Sequence, residues 1–431
     1  MPIVRPFRAI RYDPAVVGSI ASVVAPPYDV IGREEQSRLY ETSPYNVVRL
    51  DLSRESDRYR AASALFREWR ASGALTRDAE PAFYLYSQRY QPKGDDVRER
   101  FGFFARLRLE KFESGKVLPH EKTLASAKAD RLELQRACRA NLSSIFGLFS
   151  APGFTLDDAT ASVRGAPGVD FTDAAGVRHR MWRVTDPRVQ RELASRLEDR
   201  TVYIADGHHR YETALRYRDE MRDETGRRSG DEPFDYVLAY LVNMAEPGLV
   251  VLPTHRLLGS LDLAVEALLE RLRACFRVEE SPKADGASAF LRKLGPRDAN
   301  ERRIGIALRG EAPFFVLATR DGENDHRLAG SAARRHLDVS LLHGLILEGP
   351  GSILGLDAHR EAEAGRLVYT KDGEEAVARV ESGEFAAAFL LNATRVDEVR
   401  QVSEAGETMP EKSTYFYPKV LTGLVFNSLE D

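Results

Sequence analysis

Residues 201–221 read TVYIADGHHRYETALRYRDEM. The opening residues, up to Ala205, have the β-branched, aromatic and small apolar composition of a strand. Asp206-Gly207 ends that run, and from Tyr211 onward the composition is that of a helix. A strand that turns through one glycine into a helix is a unit of α/β architecture.

Working outward, FDYVLAYLVNM is a continuous apolar run, the pattern of a strand buried on both faces. Pro247-Gly248 then turns the chain into LVVLPTHRLL. Upstream, AFYLYSQRY and RERFGFFARLRLEKF flank QPKGDDV, which predicts a β-hairpin. LASAKADRLELQRACRANLSSIFGLFS reads as one long helical pattern; FTLDD, VDFTD and RHRMWRV read as strands and RVQRELASRLED as a helix.

Near the start, two prolines in ASVVAPPYDVIG predict a strand ending near Ala25. REEQSRLYETSP reads as a helix stopped before Pro44, and NVVRLDLS as a strand. Asp57 to Ser72 carries Tyr59, Ala62, Leu65, Phe66 and Trp69 at helical spacing. Toward the end, Leu261 to Phe276 is an amphipathic helix, RRIGIALRG and PFFVLATRDG a hairpin, and DVSLLHGLILEGP a helix. EFAAAFLLNATRVDEVRQVSEAG alternates strand, turn and helix. The interleaving predicts a mixed α/β (α+β) fold.

The chain has 431 residues, enough for two or three structural units, with 43% hydrophobic and 30% charged residues. A net charge of −4 argues against a dedicated duplex-DNA binder and leaves room for a local basic pocket. Two cysteines, Cys138 and Cys275, fit a reducing compartment and rule out a disulfide scaffold. No apolar run reaches the roughly 20 residues that span a bilayer. MPIVRPFRAIRYDP lacks the apolar stretch of a secretory signal, so a cytoplasmic location is expected.

Asp206-Gly207-His208-His209-Arg210 carries the strongest chemical signal. The first amides of a helix have no internal partner, and its dipole is positive there, which suits an anion. Gly207 permits a tight turn and close approach of a ligand. Arg210 offers a planar fork of donors for phosphate. His208 and His209 are discouraged from protonating at a helix start and would act as neutral donors or acceptors. Asp206 is read either as the helix N-cap or as a proton acceptor. Adjacent helical residues point about 100° apart, so the paired histidines do not favour a zinc site.

Other clusters are weaker alone. His120, Glu121, Lys122 and Thr123 could place a carboxylate beside a histidine, or simply open the long helix at Thr123. Thr254, His255 and Arg256 form a phosphate-friendly trio after a strand, as do Lys412, Ser413 and Thr414 near the end. Asp29, after the Pro26-Pro27-Tyr28 turn, reads mainly as structural punctuation. No P-loop and no Gly-x-Ser-x-Gly occurs, and GPGSILG at 349–355 misses the dinucleotide spacing by one residue.

Together PPYDVI, SPYNVVRLDL, PHEKT with KADR, ADGHHRYETA, PTHRLL, LDVSLLH and MPEKSTYFYPK resemble one bacterial and archaeal family of conserved domains of unknown function. They run from residue 26 to 419, nearly the whole chain. DGHHR also resembles the phosphate-handling box of the ParB/sulfiredoxin superfamily, which includes free serine kinases. The resemblance implies a ParB/sulfiredoxin-like core with additional mixed-sheet segments. It divides the chain into a catalytic core over 1–260, a helix-plus-hairpin subdomain over 261–335 and a C-terminal α/β segment over 336–431.

The function it implies is transfer of a phosphoryl group to a small hydroxylated metabolite, foremost free L-serine, from pyrophosphate or a nucleotide. Gly207, His209 and Arg210 would hold the donor phosphates, with Thr254, His255, Arg256, Lys412, Ser413 and Thr414 adding phosphate contacts. Asp206 or Glu121 would take the hydroxyl proton, and His208 would orient substrate. Tyr28, Asp29 and His120 are expected on the substrate, and Mg²⁺ on the donor oxygens. The expected partners are therefore a small-molecule substrate and a phosphate donor, with no membrane and no nucleic acid; a homodimer is compatible. The alternatives are a ParB-like nucleotide-dependent DNA-binding protein, a metal-dependent hydrolase built on His120, Glu121, His208 and His255, and a non-catalytic ligand-binding protein.

Overall fold

The structure is a computed structural model and describes residues 3–123, 125–295, 301–320, 322–349 and 351–430. Leu124 of the long helical pattern, Asp321 of the second hairpin strand and Pro350 of the 349–355 run lie outside the described residues. The chain divides into two compact units. The first comprises Met1–Pro119, Thr123–Val250 and Pro418–Asp431; the second comprises His120–Lys122 and Val251–Tyr417. The second unit thus takes in both the 261–335 and most of the 336–431 segment, and the C-terminal stretch belongs to the first.

The first unit is built on a mixed sheet of nine strands. Across it run Val117–Leu118, Val202–Asp206, Ile145–Phe149, Tyr236–Asn243, Arg98–Arg108, Phe83–Tyr90, Arg178–Val184 and Val169–Thr172, with Val4–Arg5 alongside Arg98–Arg108. Val202–Asp206 pairs parallel with Val117–Leu118, and Tyr236–Asn243 parallel with Ile145–Phe149; the remaining pairs are antiparallel. The fold is mixed α/β, as the interleaved sequence predicts. The Phe83–Tyr90 and Arg98–Arg108 hairpin forms as expected, and every residue of Tyr236–Asn243 is buried.

Strand alternation gives the sheet two apolar faces. On one, Val202, Ile204, Val237, Ala239 and Leu241 pack with Val189 and Leu193 of the Pro187–Ser195 helix and with Tyr211 and Ala214 of the His208–Thr225 helix. On the other, Tyr86, Phe104, Phe146 and Tyr240 pack tilted or edge-to-face at centroid distances of 5.2–5.4 Å. Each buried aromatic contributes about 1.5–3 kcal/mol.

A separate core gathers the N-terminal helices around Trp69, Phe66 and Phe426. Phe426 comes from the C-terminal segment, whose start is pinned to the hairpin. Arg100 Nη2 donates to the Pro418 carbonyl at 2.6 Å, and Gln88 Nε2 donates to the Lys419 carbonyl at 2.9 Å.

Four local expectations are corrected. Val48–Asp51 is a helical turn, not a strand. Asn46 overrides the β-branched composition: its side chain accepts from the Val48 amide at 3.0 Å and donates to the Ser22 and Val24 carbonyls. Ile20–Val23 is also a helical turn, with Ala25 bridging Thr422 beyond it. The long helix ends at Cys138, because Arg139 adopts φ 47°, and Ile145–Phe149 is a buried strand. A short fully apolar run carries no period to separate the two. Leu156–Thr160 is a helix, because the Thr155 hydroxyl accepts from the Asp158 amide at 3.1 Å.

The second unit has an antiparallel sheet of six strands in the order Arg277–Ser281, Phe314–Arg320, Glu301–Leu308, Ala387–Leu390, His255–Leu258 and Leu367–Thr370. Ala287–Leu294 and Gly373–Glu381 supply Phe290, Leu294, Ala376, Val377 and Val380 to its core. The amphipathic helix predicted from Leu261 spans Val265–Arg273 and buries Leu268 and Leu272. Among the described residues, no helix is long and apolar enough to cross a membrane.

Candidate functional site

The Val202–Asp206 strand ends in a register shift against Ile145–Phe149 between Ile204 and Asp206. Such a bulge re-aims the last side chain of a strand. Gly207 follows at φ 86°, ψ 30°, and is itself the N-cap of the His208–Thr225 helix, with no side chain capping it. Asp206 therefore does not cap the helix. Its Oδ1 accepts from Lys419 Nζ at 3.1 Å and its Oδ2 from Arg210 Nη2 at 3.1 Å. Burial alone would make the Asp206 carboxyl a weaker acid, but Lys419 and Arg210, helped by His208, outweigh it and hold the carboxyl well below its usual range.

Arg210 reaches back over the turn. Its Nη1 donates to the Ser144 carbonyl, so both ends of the guanidinium are fixed. A Cβ built on Gly207 would stand 3.0 Å from the guanidinium carbon. Glycine is thus required twice, for left-handed backbone and for the stacked cation. Gly207→Ala is expected to cost about 1–2 kcal/mol in urea unfolding through strain alone and to displace Arg210. The Tyr211 hydroxyl donates to the Glu110 carbonyl at 2.8 Å and anchors the first turn.

Two further stretches reach this cluster. Arg131, from the Ala125–Cys138 helix, donates to Asp51 Oδ1 at 2.7 Å and to the Asp51 carbonyl at 3.1 Å. It also pairs with Asp130 and lies 4.1 Å from the centre of the Tyr28 ring. Burial pushes the Tyr28 hydroxyl up to about 12, against the pull of Arg210. Burial also raises Asp51, against Arg131 and Arg210, with Asp29 adding to the rise. Tyr28, Asp29, Asp206, Gly207, His208 and Arg210 thus share one electrostatic neighbourhood, and His209 is the next residue of the same helix start.

Three members of this cluster escape sequence reasoning: Asp51, Arg131 and Lys419. Each lies inside a stretch that carries the family resemblance (VRLDL, KADR and FYPK), which is the signal that could have found them.

The other predicted residues, Thr123 apart, fall in the second unit. His120 Nε2 is 2.9 Å from the Thr414 hydroxyl, and Glu121 Oε1 accepts from the Ser413 amide at 3.0 Å. Arg256 is fully buried, donates to the Thr254, Glu411 and Lys412 carbonyls, and is pushed down to about 10 by that burial. It braces the turn that carries Lys412, which bends the chain at φ 56° and is exposed. His255 Nδ1 accepts from the Leu391 amide at 3.2 Å. Burial, reinforced by Arg256, lowers His255 to about 4 and keeps the ring neutral.

Thr123, in the first unit, donates to Glu212 Oε1 at 2.8 Å, and Lys128 holds the other oxygen. Among the described residues, no group of three or more His, Cys, Asp or Glu could hold a metal ion.

Residues 4–340 match the family described as protein of unknown function, DUF1015. The chain belongs to this family. No curated protein matches it. Among solved structures, a conserved hypothetical protein from Pyrococcus furiosus matches at 16% identity and TM-score 0.36, over 77% of this chain and 96% of its own. A free serine kinase in complex with AMP matches at 14% identity and TM-score 0.35, over 73% and 86%. SbnI with C-terminal truncation, from Staphylococcus aureus, matches at 9% identity and TM-score 0.36, over 75% and 86%.

Proposed function

We propose that the protein is a phosphotransferase that phosphorylates the hydroxyl of a small metabolite, with free L-serine as the first acceptor to test and O-phospho-L-serine as product. The observation that carries this reading is the uncapped helix start behind Gly207, bracketed by Arg210 and Lys419. A positive dipole end without a side-chain cap and two cations favour a phosphate there. The choice of serine rests on the resemblance of DGHHR to a superfamily that includes free serine kinases, and the first unit's sheet is read as its ParB/sulfiredoxin-like core.

Phosphoryl transfer asks a protein mainly for positioning and charge stabilisation. In this reading the Gly207 turn, His209 and Arg210 take the donor phosphates. Asp206 keeps Arg210 and Lys419 in place, since a carboxylate held this acidic is a weak base near neutral pH. The Asp51 and Asp206 carboxylates are already paired with arginine or lysine. A Mg²⁺ ion would therefore be held mainly by the donor's own oxygens, where it would neutralise developing charge.

The test is a screen of pyrophosphate, ADP and ATP with Mg²⁺ against L-serine and other small hydroxylated metabolites, with phosphorus NMR and mass detection of product. Phosphoserine formation from at least one donor is expected. If no donor yields a phosphorylated acceptor, the reading is wrong.

A further inference from the structure

Asp51 is 4% exposed, and the mechanism so far gives it no task. Its Oδ1 and its backbone carbonyl are fixed by Arg131. Its Oδ2 is buried and has no hydrogen-bond partner. A buried carboxylate oxygen normally has one, because leaving it unpaired is costly. The Nε of Arg210 is likewise buried without a partner. Asp51, Arg131 and Arg210 together line one cavity of about 40 Å³ within the first unit, walled also by Asn141, Ser143 and Thr213.

Asp51, which carries an unpaired acceptor, and Arg210, which carries an unpaired donor, thus line the same small space. The group that satisfies both is a hydroxyl, which donates one hydrogen bond and accepts others. The volume has room for a hydroxymethyl end. Arg210 is common to this cavity and to the Gly207 turn, so the space adjoins the proposed phosphate cradle.

The contrast with Asp206 sharpens the assignment. Both Asp206 oxygens are taken by cations, whereas one buried Asp51 oxygen is unpaired. The two carboxylates are pushed in opposite directions, Asp206 down by Lys419 and Arg210, Asp51 up by burial. Two acids whose environments separate them in this way take different jobs, and the less acidic one is the better proton acceptor. The groups acting on Asp51 are Arg131, itself paired with Asp130, and Cys138 from one helix, Arg210 from another, and Tyr28 and Asp29 from the turn after Pro27.

We infer that Asp51 is the general base of the transfer, with its Oδ2 taking the proton of the acceptor hydroxyl while Arg210 bridges base and phosphate. This rests on the phosphotransfer reading. In the step, the acceptor oxygen forms a bond to the transferred phosphorus. The bond from that phosphorus to the donor's bridging oxygen breaks, and the leaving phosphate or nucleotide keeps the electron pair. The hydroxyl proton passes to Asp51 and then to solvent.

The experiment measures kcat and acceptor KM of wild type, Asp51→Asn and Asp51→Glu on the full chain across acidic to neutral pH, with circular dichroism and thermal melts to verify folding. Wild-type kcat/KM should rise tenfold per pH unit on the acid side and then level off. Asp51→Asn should lose about 100- to 10,000-fold in kcat, keep acceptor KM within about threefold, and lose the acid limb. Asp51→Glu should recover at least about tenfold of that loss and keep a displaced limb. A folded Asp51→Asn with more than a tenth of wild-type kcat, or with the acid limb intact, overturns the assignment. If Asp51→Asn does not fold, a folded Asp51→Glu with the wild-type kcat and limb overturns it equally. An active wild type with an unaffected variant refutes Asp51 alone; a wild type that phosphorylates no acceptor refutes the phosphotransfer reading and this assignment with it.

Discussion

Arg210→Ala is expected to lower phosphoryl transfer by about 1000-fold or more while leaving the fold intact. A guanidinium aimed at a transferring phosphoryl group supplies charge stabilisation of this order. Here its placement is unusually constrained: Nη2 is held by Asp206, Nη1 by the Ser144 carbonyl, and the group stacks over Gly207. The orientation is therefore set before any ligand arrives, which is the condition under which electrostatic stabilisation is largest. The fold should survive because Asp206 retains Lys419 as a partner and the helix remains anchored through Tyr211. Arg210→Lys keeps the charge but not the two-sided fork, and should recover only part of the rate. The check is a steady-state assay of both variants beside the wild type, with melting curves for each. Full activity in a folded Arg210→Ala protein would remove Arg210 from the site.

What the sequence makes legible follows from which signals are local. The 201–221 stretch declares a strand, a glycine turn and a helix, and all three form where expected. The hairpin is equally plain from two strand-like runs around a Pro- and Gly-containing turn, and the buried Tyr236–Asn243 strand from an apolar run rich in tyrosine and β-branched residues. NVVRLDLS misleads because a single side chain, Asn46, diverts the backbone through bonds to residues more than twenty positions away. The cluster around Asp206 is half legible for the same reason. Gly207, His208 and Arg210 are neighbours in sequence, so they can be read together. Lys419 meets Asp206 only because the C-terminal segment is carried back by Arg100 and Gln88. Asp51 and Arg131 meet only once two helices pack. Spacing along a chain cannot report such meetings, whereas the shared motif stretches mark the residues without saying why they matter.

Asp206→Asn should cost about 3–5 kcal/mol of stability at neutral pH, measured by urea unfolding. The side chains it serves are Arg210 and Lys419, 10% and 13% exposed, and removal of the carboxylate leaves two mostly buried cations facing one another. Breaking one partner of a buried ion pair costs more than the pair itself contributes, because the remaining charge has lost both its compensation and its water. The sign with pH follows from the direction of the shift. Asp206 is more acidic folded than in an unfolded chain, where an aspartate titrates near about 3.9. Its contribution is therefore fully present above that unfolded value and is lost as pH falls toward the lower folded one. The stability gap between wild type and Asp206→Asn should accordingly be constant from neutral down to about pH 5 and shrink below about pH 4. A gap that widened on acidification, or one under about 1 kcal/mol at neutral pH, would mean that Asp206 is not holding the two cations. That would also free it to act as a base, so this measurement bears directly on the choice between Asp206 and Asp51 as proton acceptor.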